Sequence, residues 1–138
     1  MRDPVVSDTD AVLFANEAFY RALADRDLAA MESIWAGEGP VLCVHPGWPA
    51  LLGRSAVMTS WRRLFAAGGA LPTMGQAEAF LFGDCAAVVC YEEIGGEFLV
   101  ATNLFRRQGR HWKMVHHHAG PSAAAPADEE ESPPPRVN

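Results

Sequence analysis

Three consecutive histidines, His116, His117 and His118, close the run HWKMVHHHAGP between His111 and Pro121. The triplet is short and strand-like sequence leads into it, so it reads as native structure rather than an appended tag. Imidazole exchanges protons near neutral pH and is also a common metal ligand. Successive strand residues face opposite ways. His117 is therefore grouped with Val115 and Lys113, and His116 and His118 with Met114 and Trp112. On one face, His116 and His118 could offer a metal two imidazoles, with His45, Cys43 or Glu92 as further ligands. No second paired motif supports such a site. We expect neither a metal nor a cofactor.

Two other polar residues fall in apolar company. Glu92 alternates with Cys90, Val88 and Ala86, and Asn103 with Ala101 and Phe105. A polar group on such a face needs a partner or a cavity, so both are read as cavity lining, with rim exposure as the alternative. A carboxylate buried beside an imidazole can divide into acid and base and drive isomerisation or dehydration. In the turn-rich HPGWPALLGR, His45 leads into Pro46, Gly47 and Pro49, which stiffen and turn the chain. Trp48 is left either to cap a cavity or to cover the core. Trp61 has helical spacing with Val57 and Leu64 and reads first as core, though a core aromatic can also be a cavity wall. Tyr20, beside Phe19, could supply a phenol at the closed end of such a cavity. No spacing here is specific to one reaction.

The elements that must position these residues change character along the chain. Ser7 to Asp25 is an amphipathic helix with Val12, Phe19 and Leu23 on one stripe, and Ser7 or Asp8 can cap it. Asp27 opens a short second helix that stops at Gly37, and Ser55 to Ala67 forms a third. PVLCVHP is a strand between them. From Met74 onward, MGQAEAFLF, CAAVVCYEEI, EFLVATNLFRR and HWKMVHHH are strands separated by short Gly-containing breaks, which favour antiparallel hairpins. Helices first and strands later imply an α+β domain over 1–121, with three N-terminal helices on one face of a curved, mostly antiparallel sheet. Such a cone leaves a cavity where helices and sheet diverge. Residues 122–138, rich in Ala, Pro and acidic side chains, are expected to form a disordered tail.

Composition narrows the function classes. At 138 residues there is room for one domain, and 49% apolar with 20% charged residues is ordinary for a globular protein. The net charge of −6 and the scattered arginine pairs argue against a nucleic-acid partner. No apolar run is long enough to span a bilayer, so no membrane partner is expected. The start lacks a signal peptide's apolar centre, and Cys43, Cys85 and Cys90 lack metal spacing. A cytoplasmic protein with free thiols follows.

The segments FYRALADRDLAAMESIWA, VLCVHPGWPALLGRSAVMTSW, ATNLFRR and HWKMVHHHAGP together resemble the nuclear-transport-factor-2-like, or SnoaL-like, superfamily. The ending Trp112, Val115, His116 and His118 is also similar to the close of the association domain of calcium/calmodulin-dependent protein kinase II. The resemblance implies a cystatin-like α+β cone and a homodimer formed through the sheet. It implies that His117 faces the cavity while His116 and His118 face the partner. The superfamily contains isomerases, dehydratases, cyclases, hydrolases and non-catalytic assembly modules, so fold alone fixes no reaction. Where the kinase domain keeps pocket arginines, this chain has Glu92 and Asn103, which argues against a similar anionic ligand. The expectation is a homodimer binding a small apolar or weakly polar molecule, with a non-catalytic association module as the alternative.

Overall fold

The computed structural model describes residues 6–127. Helix α1 (Asp8–Asp25) starts where the Ser7 hydroxyl accepts the Asp10 amide at 3.1 Å. It ends at Arg26, whose left-handed backbone (φ 51°) turns its amide back onto the last carbonyls. Val12, Asn16, Phe19 and Leu23 are buried at spacings of three or four, with Tyr20 and Ala22 widening the same face. Helix α2 (Leu28–Ile34) is capped by Asp27, which accepts the Ala30 amide at 3.0 Å. Helix α3 (Arg54–Ala67) stops at Gly68 in a left-handed conformation. Arg54 donates to the carbonyls of Glu32, Trp35 and Ala36, tying the end of α2 to the start of α3.

Six strands form one sheet: β1 (Leu42–Val44), β2 (Leu51–Leu52), β3 (Thr73–Phe82), β4 (Cys85–Ile94), β5 (Glu97–Gln108) and β6 (His111–Pro121). Their order is β2-β1-β6-β5-β4-β3, antiparallel throughout except for the β1–β6 pair. The α+β architecture with three helices is therefore present. The two-residue β2 was not anticipated, because it lies inside the turn-rich stretch and carries no periodicity of its own. The core is built from Val12, Phe19, Leu23, Met31, Trp35, Val57 and Trp61 of the helical half against Val88, Ala101, Phe105 and Met114 of the sheet. Among the described residues, no helix is long and apolar enough to cross a membrane.

One irregularity decides the facing of the histidines. Leu104 pairs with His116 but Phe105 pairs with Met114, so Val115 is the extra residue of a bulge in β6. An inserted residue flips every side chain beyond it. Trp112 and Met114 therefore share the buried side with His117 and Ala119. This corrects the simple alternation, which grouped His117 with Val115 and Lys113 and set Trp112 and Met114 with His116 and His118. His116 and His118 lie on the outer face, in register with Leu42 and Val44 of β1. Beyond β6, Ser122 donates its amide to Phe98, and Gln76 donates to the Ala127 carbonyl at 2.9 Å. The rest of the expected tail, 128–138, lies outside the described residues.

Candidate functional site

A cavity of about 280 Å³ opens between α1, α3 and the sheet. Four elements supply its polar wall. His45 and Trp48 come from the segment after β1, Trp61 from α3, Glu92 from β4 and His117 from β6; Leu23, Leu64, Leu71 and Leu99 make much of the remainder. Glu92, although only 2% exposed, reaches this wall from the buried face of its strand.

Behind the wall lies a hydrogen-bonded network. The Tyr20 hydroxyl donates to Glu92 Oε2 at 2.6 Å. Asn103 donates its amide to Asn16 Oδ1 at 2.8 Å and to the Tyr20 oxygen at 3.2 Å, and its own Oδ1 stands 2.5 Å from His117 Nδ1. The other imidazole nitrogen of His117, Nε2, is 3.9 Å from Glu92 Oε2. Cys90 Sγ lies 3.3 Å from the Tyr20 oxygen. On the opposite wall His45 Nε2 is 2.8 Å from Ser60 Oγ, whose hydroxyl donates to the Val57 carbonyl.

Burial sets the ionisation of these groups, because a charge loses its hydration in an apolar wall. It raises the Glu92 carboxyl above its ordinary range, against the opposing effect of the Tyr20 hydrogen bond. Burial lowers His117 to about 3, with smaller contributions from His45, His116 and His118, and lowers His45 to about 4. The Tyr20 phenol is raised by burial and by Glu92. Burial also lifts Cys43 to about 12 and Cys90 to about 11. The Glu92–His117 contact is thus not an ion pair. Burial disfavours the charged form on both sides of it.

The structure brings Glu92, His117, His45, Trp48 and Trp61 to one cavity and sets Tyr20 and Asn103 immediately behind it. Trp61 is both core and wall: it is 2% exposed, and its ring centre is 4.6 Å from that of His45. Trp48 is 36% exposed at the rim, its ring edge-on to His45 at 4.9 Å. His116 and His118 stand across the sheet from His45, Cys43 and Glu92, so the metal-ligand grouping weighed from the sequence does not assemble. Among the described residues no three His, Cys, Asp or Glu side chains converge on one point. Asn16 and Ser60 escaped the sequence reading. Asn16 had a signal, since a lone amide interrupts the apolar stripe of α1; Ser60 had none beyond its place beside Trp61. A larger groove, about 590 Å³, runs near Phe14 and Trp112 and shares no residue with this cavity.

Comparison with known proteins follows the same lines. The model of the SnoaL-like domain family matches residues 12–125. The F-box protein SKIP8 of Arabidopsis thaliana is 31% identical over 113 residues, covering 79% of this chain and 48% of that protein. The chain therefore spans about half the length of this curated relative. A solved candidate dehydratase of the NTF2-like family from Streptomyces avermitilis superposes with a TM-score of 0.74 and 35% identity, covering 83% of this chain and 95% of that one. A candidate association domain of calcium/calmodulin-dependent protein kinase type II from Thiobacillus denitrificans gives 0.68 and 34%, covering 87% and 99%. The cystatin-like fold is shared with structures of much lower identity. With the matched segment taking in nearly all of α1 through β6, the chain belongs to the SnoaL-like domain family of NTF2-like proteins.

Proposed function

We propose that the cone binds a small, uncharged, largely apolar molecule and moves a proton on it, in dehydration or isomerisation. The observation that carries this is the Glu92–His117 pair, a buried carboxyl 3.9 Å from an imidazole on the wall of an apolar cavity. Burial pushes the carboxyl toward its protonated form and keeps the imidazole unprotonated, the directions that an acid and a base working near neutral pH require. In a dehydration, His117 would take the proton from carbon while Glu92 protonates the departing hydroxyl. Water leaves, and the proton passes from His117 back to Glu92. Among the described residues no lysine or arginine lines the cavity, and none of them offsets the desolvation of an anion there. The likeness to the Streptomyces avermitilis protein supports the same chemistry.

Native mass spectrometry of the purified protein tests the site. A small uncharged adduct is expected, reduced in His117→Ala and Glu92→Ala and unchanged in His118→Ala. Full retention of the adduct in both cavity variants would place the ligand elsewhere.

A second reading is favoured by the outer face of the sheet and by the likeness to an association domain. Leu42 on β1 and Phe80 on β3, toward opposite ends of the sheet, are 40% and 42% exposed there, and His118 of β6 lies on the same face between those strands. Apolar surface of this kind is ordinarily covered. A homodimer joined through the sheets covers it without disturbing the cavity. Sedimentation at micromolar concentration should show a dimer that His118→Ala weakens; a monomer throughout removes this reading.

A further inference from the structure

The hydrogen bonds behind the cavity fix more than the position of His117. An imidazole that is neutral carries its proton on one nitrogen, and its partners decide which. Asn103 has two amide hydrogens, and both face acceptors: Asn16 Oδ1 at 2.8 Å and the Tyr20 oxygen at 3.2 Å. Tyr20 has one hydroxyl proton, directed to Glu92 Oε2, so its oxygen is free to accept from Asn103. With the Tyr20 proton directed to Glu92 and the Asn16 amide nitrogen turned toward Cys90 Sγ, reversing the Asn103 amide would set its carbonyl against two oxygens with no proton aimed at it. The atom left facing His117 Nδ1 at 2.5 Å is therefore the Asn103 carbonyl oxygen, and only a protonated Nδ1 satisfies it.

We infer that Asn103, oriented by Asn16 and Tyr20, is a positioning residue that holds His117 as the Nδ1–H tautomer and turns the lone pair of Nε2 toward Glu92. Resting on the proton-transfer reading of this cavity, it explains which nitrogen acts there. Nε2 is the atom 3.9 Å from Glu92 Oε2, and a reacting carbon on the cavity side of the pair would meet the lone pair rather than an N–H. The opposite wall shows the contrary arrangement. Ser60 gives its hydroxyl proton to Val57, so its oxygen accepts from His45, which places the proton of that ring on Nε2. The two cavity histidines are thus set as opposite tautomers by neighbours that reach no substrate themselves. Asn16 belongs to α1 and Asn103 to β5, so the tautomer of His117 depends on the helix being seated on the sheet.

The test is nitrogen NMR of the full chain labelled with 15N-histidine, with His117 assigned by the signals lost in His117→Phe. In the unaltered protein Nδ1 should give the pyrrole-type shift and Nε2 the pyridine-type shift, with His45 the reverse. Asn103→Leu removes the acceptor, and a substantial share of the pyridine-type signal should move from Nε2 to Nδ1. Asn103→Asp restores an acceptor, and with it the original pattern. A pyridine-type Nδ1 at His117 in the unaltered protein overturns the inference, as does an unchanged pattern in folded Asn103→Leu. Should Asn103→Leu fail to fold, the unaltered protein and Asn103→Asp still decide. The spectrum needs no substrate. A correct tautomer in a protein with no proton-transfer activity would remove the proposed reaction and leave this inference standing.

Discussion

Between pH 6.5 and pH 4 the fold should lose much of its stability. His45 and His117 ionise at an ordinary value of 6.5 in the unfolded chain but only at about 4 and about 3 in the folded one. In that window the unfolded state binds more protons, so stability falls as the pH falls. At roughly 1.4 kcal/mol per pH unit for each group, the two histidines cost about 7 kcal/mol by pH 4. Glu92 works in the opposite sense. Its folded carboxyl is raised, so its contribution is fully present below the ordinary value of 4.5 and is lost as the pH rises through the raised one. It offsets part of the loss as the folded carboxyl takes up its proton above that ordinary value. Even partly offset, the histidine contribution is large beside a typical total of roughly 5–15 kcal/mol. Urea midpoints measured across this range should drop steeply, and the double variant His45→Gln, His117→Gln should flatten the curve. A flat curve in the unaltered protein would mean that the imidazoles are hydrated.

Phe19→Ala should be among the most damaging single changes. Phe19 is wholly buried, edge-on to Tyr20 at 4.8 Å and to Trp61 at 5.5 Å, with His117 at 4.9 Å between ring centres. Truncating a core phenylalanine costs about 3–5 kcal/mol, from lost transfer energy and the hole left behind. The hole would open beside the cavity wall and admit water to His117, so its imidazole should also titrate closer to the ordinary value. Denaturant unfolding and histidine NMR read the two effects separately. A loss below about 1 kcal/mol would mean that the aromatic cluster collapses to fill the space.

The sequence is informative wherever a period repeats. The stripe Val12–Phe19–Leu23 places α1, and the alternation of Ala86, Val88, Cys90 and Glu92 places one face of β4, both as the structure has them. Glu92 and Asn103 stand out for the same reason, as polar interruptions of apolar faces. Asn16 interrupts a helical stripe in the same way and was passed over, because an amide within a helix has many uses. The bulge at Val115 has no sequence mark. Alternation assumes one residue per rung, and a pairing offset exists only once β5 lies beside β6. The resemblance to a known family turned His117 inward where counting gave it the wrong neighbours. The hydrogen bonds joining α1, β4, β5 and β6 span separations of up to 87 residues, beyond any local pattern.

The extra residue in β6 also has a meaning for how such a domain can change over generations. A strand with a bulge holds two reading frames in space: up to Met114 the even positions face the helices, and from His117 the odd ones do. Losing one codon at Val115 would remove only the extra residue and merge the two frames, leaving Trp112, Met114, His117 and Ala119 on the side they now face. Were the strand instead to pair straight through Val115 with no bulge, His116 and His118 would enter the cavity, and His117 would emerge on the opposite side. A one-residue slip in pairing could thus exchange a one-imidazole cavity for a two-imidazole one with the composition of the triplet unaltered. Three adjacent histidines make the strand end chemically tolerant of such a slip, since an imidazole remains in the cavity in either frame.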